Sequence, residues 1–125
     1  MLTALARITG TYALAVLDER HPERIVLARS GSPLIIGIGD KEMLVASDVA
    51  ALVRHTDRVV HLNDGELATV TATGFRTFDR GNSPTSSEPV EISVAAQFCV
   101  PPTWNGVLML RSALRMVRYM PRGLL

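Results

Sequence analysis

The chain has a single cysteine, Cys99, and few aromatic residues, which make up 5% of its 125 residues. One thiol cannot form an intrachain disulfide, so the sequence argues against a disulfide-stabilised secreted domain and suits a reducing compartment. The first ten residues, MLTALARITG, carry no basic region ahead of an apolar stretch and do not predict a signal peptide. We therefore expect a cytoplasmic protein.

Long apolar runs and a strong overall charge are also missing. The uninterrupted apolar runs are far too short to cross a bilayer, and the formal net charge is only +1. Neither a membrane nor a nucleic acid is therefore an expected partner. The charge is unevenly placed, because residues 98–125 hold four arginines and no acidic residue. A basic stripe of this kind binds acidic membranes in some proteins, but it is more often a solvated helix face.

The motifs that usually carry catalysis or bind metals are absent from the sequence. His21, His55 and His61 have no metal-type spacing, and we expect all three on polar surfaces. Cys99 has no recognisable base beside it, which predicts an ordinary, partly buried thiol; a thiol enzyme that uses it is the alternative. The segment GIGDKE from Gly37 lacks the third glycine and the helix of a dinucleotide fingerprint. The sequence thus predicts no catalytic residue, no metal and no cofactor.

The residues that are present predict one folded domain rich in β-structure. Apolar residues make up 47% of the chain and charged residues 20%, which is typical of a globular protein. Strands are predicted at residues 11–18, 25–28, 34–38, 43–46, 58–62, 66–71 and 75–78. Short helices are predicted at residues 2–8 and 49–56, the second capped by Ser47 or Asp48. The short connections favour a largely antiparallel sheet in the α+β class.

The chain changes character after residue 79. Residues 80–91, RGNSPTSSEPVE, are rich in serine, proline and glycine and predict a linker or domain edge. Leu108, Leu110, Leu114 and Val117 then recur near helical spacing, which predicts a short amphipathic helix. The predicted organisation is a folded domain at 1–79, a linker at 80–97 and an atypical tail at 98–125.

Four motifs of the first 79 residues resemble one enzyme family in order and spacing. They are a G-x-Y-A-L-A-V strand (Gly10 to Val16), an A-R-x-G-S-P-L-x-I-G-x-G block (Ala28 to Gly39), an A-S-D step (Ala46 to Asp48) and an x-L-x-D-G-E turn (His61 to Glu66). In these the chain resembles the glutamine–fructose-6-phosphate aminotransferases, also called glucosamine-6-phosphate synthases. The amidophosphoribosyltransferase type of glutaminase is a related alternative that fits the RSGSPLIIGIG block less well.

The resemblance implies a fold and a reaction for the whole enzyme. Residues 1–79 would be the C-terminal half of a class-II glutamine amidotransferase domain, an Ntn-hydrolase-like αββα sandwich of mostly antiparallel sheet, present here in part. The family makes glucosamine 6-phosphate and glutamate from fructose 6-phosphate and glutamine, without a cofactor in this domain. The full enzyme is expected to be a homodimer.

The resemblance also implies where reactive groups should lie. The family's nucleophile is a cysteine at the mature amino terminus, with its own α-amino group as base. The printed sequence begins with Met1 and Leu2, and the family's substrate-binding motifs precede the matched region, so we carry over no catalytic or substrate-binding residue and expect no activity from this chain alone. Framework positions do carry over: Arg29, Ser30, Gly31, Ser32, Pro33, Ser47, Asp48, Asp64 and Gly65. The alternative is a non-catalytic module that pairs through an exposed sheet edge.

Overall fold

The chain folds into two antiparallel sheets. A computed structural model describes residues 2–92, 107–111 and 116–120. The strands are β1 (Tyr12–Leu17), β2 (Arg24–Ser30), β3 (Ile35–Ile38), β4 (Glu42–Ala46), β5 (Arg58–His61), β6 (Leu67–Thr71), β7 (Gly74–Phe78), β8 (Pro84–Thr85), β9 (Val90–Glu91), β10 (Val107–Arg111) and β11 (Met116–Met120). The first sheet has the order β1-β2-β6-β7-β8 and the second β11-β10-β4-β3-β5-β9. The predicted, largely antiparallel sheet is confirmed.

The main core lies between the two sheets. Alternate residues of a strand point to opposite faces, and on each sheet one set of alternate residues is apolar and buried. The buried residues of this core are Ile25, Leu27, Ala68 and Val70 from the first sheet, and Leu34, Ile36, Met43, Val45, Val60 and Leu62 from the second sheet and its flanks. Removing these side chains from water is the main force that holds the sheets face to face.

The second sheet is covered on its other face as well. Ile35, Leu44 and Val59 point away from the main core and pack with Leu52, which lies just after a turn of 3-10 helix at Val49–Ala51. The central strands β3 and β4 are therefore buried on both faces. This explains why their sequences are continuous apolar runs instead of alternating ones.

The chain passes from one sheet to the other three times in its first 92 residues. We call the connections the first crossover (31–34), the second crossover (62–66) and the third crossover (86–89). The register places the first two at one end of the sandwich, because Ala28 of β2 pairs with Leu67 of β6 and Ile35 of β3 pairs with His61 of β5. We call this end the crossover end.

The predicted helices are shorter than expected or absent. The first helix, α1, covers only Leu2–Leu5, and the segment predicted as helix at 49–56 is helical only at Val49–Ala51. The predicted amphipathic helix in the tail is wrong for residues 107–111 and 116–120, which form β10 and β11. The run Val-Leu-Met-Leu at 107–110 fits a strand as well as a helix, and β10 pairs with the open edge of β4 in a way that only a strand can.

The segment predicted as a linker contains two short strands. β8 pairs with β7 in the first sheet, and β9 pairs with β5 in the second. The division of the chain into domain, linker and tail stays a prediction. Within the described residues, no helix is long and apolar enough to span a membrane.

The turn of 3-10 helix is capped by Asp48 and not by Ser47. Asp48 has extended backbone, and its Oδ1 accepts a hydrogen bond from the amide of Ala50 at 2.9 Å. We predict that Asp48→Ala lowers the free energy of unfolding by about 1 kcal/mol, because the amide loses its acceptor. Ser47 is exposed, so Ser47→Ala should change stability by less than about 0.5 kcal/mol. Urea denaturation of both variants measures this, and equal losses would contradict the assignment.

Candidate functional site

The first and second crossovers are joined by hydrogen bonds at the crossover end. The amide of Gly31 donates to Oδ1 of Asp64 at 2.5 Å. The amide of Gly65 donates to the carbonyl of Arg29, and the amide of Arg29 donates to the carbonyl of Glu66, both at 3.0 Å. The structure thus brings together Arg29, Gly31, Asp64 and Gly65, four of the residues predicted as framework. Their functional role stays a prediction.

The side chain of Arg29 links the two sheets. Its Nη1 donates to the carbonyl of Leu62, which lies just beyond the end of β5. The amide of Leu62 donates to the carbonyl of Leu34 at 3.1 Å, so the same residue is tied to the first crossover. The Nε of Arg29 is buried without a hydrogen-bond partner. Arg29 is therefore a bridge from β2 to the second crossover.

The other framework residues of the first corner lie nearer the surface. Ser30 is half-buried, and its Oγ accepts a hydrogen bond from Nη2 of Arg80 at 3.0 Å. Ser32 is half-buried and Pro33 is exposed in the first crossover. Arg80 therefore connects the corner to the segment that follows β7.

Ser47 and Asp48 lie at the same end of the second sheet but serve another element. They follow Ala46, which pairs with Ile35 at the start of β3. The hydrogen bond from Asp48 caps the helical turn, as described above, and does not reach the crossovers. The structure therefore separates this pair from the other framework residues.

Among the described residues, the hydrogen bonds that join the crossovers involve no histidine side chain. His21 is exposed and its Nδ1 lies 3.5 Å from Oε1 of Glu23. His61 is exposed on its strand, as predicted, and His55 is half-buried after the helical turn. In the part of the chain that the structure describes, no group of three or more His, Cys, Asp or Glu side chains is placed to hold a metal ion. Cys99 lies outside the described residues.

The most buried charged side chain of this end is one that the sequence analysis did not select. Glu66 is 3% exposed. Its Oε1 accepts hydrogen bonds from the hydroxyl of Thr85 and from that of Ser87, the latter at 2.8 Å. Its Oε2 accepts from the backbone amide of Asn63 at 2.7 Å and from Nδ2 of Asn63 at 3.2 Å. Glu66 thus joins the second crossover to the third.

A signal for this burial is present in the sequence. Glu66 precedes Ala68 and Val70 at a spacing of two, and residues at this spacing share one face of a strand. Both apolar residues point into the main core. Glu66 lies on the same face and therefore points toward the interior, where its carboxylate oxygens need hydrogen-bond donors.

These donors determine the acidity of Glu66. Burial alone would raise the pKa of this carboxyl, because it disfavours the charged form. Hydrogen bonds from Thr85, Asn63 and Ser87, with the Thr77 hydroxyl nearby, act in the opposite direction and together hold the pKa below its ordinary value. Glu66 is consequently ionised and acts as an acceptor.

The arrangement is suited to holding the chain together and not to nucleophilic catalysis. The hydroxyls of Thr85 and Ser87 donate to a carboxylate whose lowered pKa makes it a weak base. A serine or threonine nucleophile needs a stronger base, commonly a histidine, within hydrogen-bond reach. In residues 2–92, the side-chain hydrogen bonds of these two hydroxyls run to Glu66 and Asn63.

The backbone of the first crossover requires glycine at position 31. Gly31 has a φ of +72°, and a Cβ there would lie 2.5 Å from Cγ2 of Thr11. We predict that Gly31→Ala lowers the free energy of unfolding by about 2 kcal/mol, because of the strained φ and the contact. Gly74→Ala is the control, since a Cβ at Gly74 meets no atom within 4 Å. Thermal or urea denaturation gives both values, and an equal effect would contradict the prediction.

The Glu66 carboxylate should make stability depend on pH in the acid range. Because its folded-state pKa is lowered, its contribution is fully present above the ordinary value of 4.5 and is lost as the pH falls through the folded-state pKa. We predict that Glu66→Gln costs about 2 kcal/mol at pH 7, the size expected for hydrogen bonds to a charged group. The difference from the wild type should shrink below pH 4.5. Urea denaturation across this range measures it, and a difference independent of pH would refute it.

Comparison with known proteins gives a consistent set of relatives. The chain is 50% identical over 72 residues to a glutamine–fructose-6-phosphate aminotransferase [isomerizing] of Chlorobaculum tepidum, covering 58% of this chain and 12% of the relative. It is 51% identical over 67 residues to the enzyme of that name from Bacteroides thetaiotaomicron, and this match covers 54% of this chain and 11% of the relative. It is 46% identical over 90 residues to the enzyme of that name from Xylella fastidiosa, and this match covers 72% of this chain and 15% of the relative. No family model matches the chain.

These matches bear on the alternatives as well as on the resemblance. Each of the three relatives carries the aminotransferase name, so the amidophosphoribosyltransferase type and the unrelated interaction module are not favoured. The chain spans only 11% to 15% of the length of these relatives. The resemblance seen in the sequence is thus confirmed: the chain is related to the glutamine–fructose-6-phosphate aminotransferases and corresponds to a short stretch of them.

Proposed function

We propose that this chain forms the sheet framework of the glutamine-hydrolysing half of a glutamine–fructose-6-phosphate aminotransferase. The observation that carries the proposal is the crossover end. The A-R-x-G-S-P and D-G-E motifs, which lie more than thirty residues apart in the sequence, contact each other there through Gly31 and Asp64. Two of the four motifs that resemble the family therefore contain the residues that join the two sheets.

In this proposal the two sheets are the central layers of an Ntn-hydrolase-like sandwich. The stacked antiparallel sheets and the main core between them are compatible with such layers. Among the described residues, the turn at Val49–Ala51 is the part of a helical layer that lies next to the apolar cluster on the second sheet. The reactive groups would come from other parts of the whole enzyme, and the crossover end would support them from behind.

The substrates follow from the same proposal. The names of the relatives indicate glutamine as the nitrogen donor and fructose 6-phosphate as the acceptor. The whole enzyme would release glutamate and form glucosamine 6-phosphate, and would act as a cytoplasmic homodimer. The part played by Arg29, Gly31, Asp64 and Gly65 would be to hold the sheets in register, without touching substrate.

A chimeric enzyme tests this role. The stretch of the Chlorobaculum tepidum relative that aligns with this chain is replaced by the corresponding residues of the chain, and glutamate release from glutamine is measured. We expect the chimera to keep activity within about tenfold of the parent, since only supporting residues change. A chimera that folds but releases no glutamate would overturn the proposal.

The isolated 125-residue chain is the second arm of the experiment. We expect no glutamate release from it, because the described residues offer no activated nucleophile. Glutamate release that persists in Cys99→Ala would contradict the framework role. Release that disappears in Cys99→Ala would also contradict it and would favour the thiol-enzyme alternative.

A further inference from the structure

The segment of residues 79–92, which we call the strap, is attached to both sheets near its ends. At one end, β8 pairs with β7, with Pro84 opposite Phe78 and Thr85 opposite Thr77. At the other end, β9 pairs with β5, and the amide of Ile92 donates to the carbonyl of Asp57 at 2.6 Å. The third crossover lies between these two attachments.

The middle of the strap is held mainly through Glu66. The hydroxyls of Thr85 and Ser87 both donate to this carboxylate, and the hydroxyl of Thr77 donates to the carbonyl of Thr85 at 3.0 Å. Asn63 adds a longer contact from Nδ2 to Oγ of Ser87, at 3.4 Å. Glu66 and Thr77, which belong to the sandwich, are buried, whereas Thr85 of the strap is exposed.

Apolar burial contributes little to the attachment of the middle of the strap, whereas Ile92 at its end packs against the cluster that contains Leu52 and Val59. Residues 79–86 and 88–91 are exposed, and Ser87 is half-buried. Val90, the largest apolar side chain among them, is 53% exposed. Because little apolar surface is removed from water, the polar contacts to Glu66 determine how firmly the middle of the strap is held.

The groups that contact the Glu66 carboxylate are all uncharged among the described residues. They are the Asn63 amides and the hydroxyls of Thr85 and Ser87, with Thr77 beside them. The negative charge is thus stabilised by hydrogen bonds alone. Loss of that charge weakens every one of these bonds at once, since hydrogen bonds to ionised groups are the stronger kind.

We propose that Glu66 is a latch: it holds the strap against the crossover end, and without its charge the middle of the strap opens while the two sheets stay folded. A cleft of about 440 Å³ lies along the strap and is lined by Phe75–Phe78 and Pro84–Ser87. Opening the latch displaces Ser86 and Ser87, which line this cleft. The latch depends only on the fold described above, so its test does not involve glutamine.

Native-state proteolysis of the full chain tests the latch. Subtilisin, which has broad specificity, is added under conditions where the protein is folded, and the first cuts are located by mass spectrometry. We expect Glu66→Gln to be cut within residues 82–89 about tenfold or more faster than the wild type, because local opening becomes easier. Glu88→Gln is the matched charge control on the strap itself, and its rate should equal that of the wild type.

A second control separates local opening from global instability. Gly31→Ala should lower global stability by a similar amount, and its added Cβ meets Thr11 and none of the groups that contact Glu66. Its cutting rate within residues 82–89 should stay within about threefold of the wild type. If Gly31→Ala is cut there as fast as Glu66→Gln, or if Glu66→Gln is folded and cut no faster than the wild type, the latch is refuted.

A milder variant covers the case in which Glu66→Gln does not fold. Ser87→Ala removes one donor to the carboxylate and leaves the buried charge with its other partners. We expect its cutting rate within residues 82–89 to rise about threefold or more. An unchanged rate in folded Ser87→Ala would overturn the proposal.

Discussion

The rest of the structure depends on the apolar contact between the two sheets. Ile25 and Leu27 of the first sheet are removed from water by residues such as Ile36 and Val60 of the second, and each buried side chain of this size contributes about 1.5–3 kcal/mol. The strands that form the contact come from alternating parts of the chain, so the chain has to cross between the sheets repeatedly.

Each crossing creates a local problem of hydrogen bonding. Where a strand leaves its sheet, its backbone N–H and C=O groups lose their hydrogen bonds to the neighbouring strand. Near an apolar core these groups still need hydrogen-bond partners. The crossover end meets this need with side chains: Arg29 donates to the carbonyl of Leu62, and Asp64 accepts from the amide of Gly31. Glu66 does the same for the turn that contains Asn63. The polar residues of this end are therefore a consequence of the layered core.

The strands could be predicted from the sequence because their pattern is local. Alternation or continuous apolar runs, bounded by glycine, proline and aspartate, located β2 to β7 to within about two residues. The tail was misassigned, since the run from Val107 to Leu110 has no period long enough to distinguish a strand from a helix. The pairing of this run with the edge of β4 makes it a strand, and this pairing partner can be identified only from the three-dimensional structure.

The candidate site was predictable only in part, for the same reason. The turn at Asp64 and Gly65 has a local signature, and its glycine has the positive φ of +77° that such a turn requires. Its contact with Gly31, however, joins residues that are far apart in the sequence. The burial of Glu66 follows from strand alternation, but its donors Thr85 and Ser87 lie in a segment whose composition resembles a linker.

β8, one of the two edge strands of the first sheet, begins with a proline. Pro84 pairs with Phe78 on its inner side and has no amide hydrogen to offer on its outer side. A strand from another molecule that approached this border would find an incomplete set of donors over the two residues of β8. Fibril-like stacking of chains is therefore disfavoured at this border, and colloidal stability gains from a residue that contributes nothing to the core.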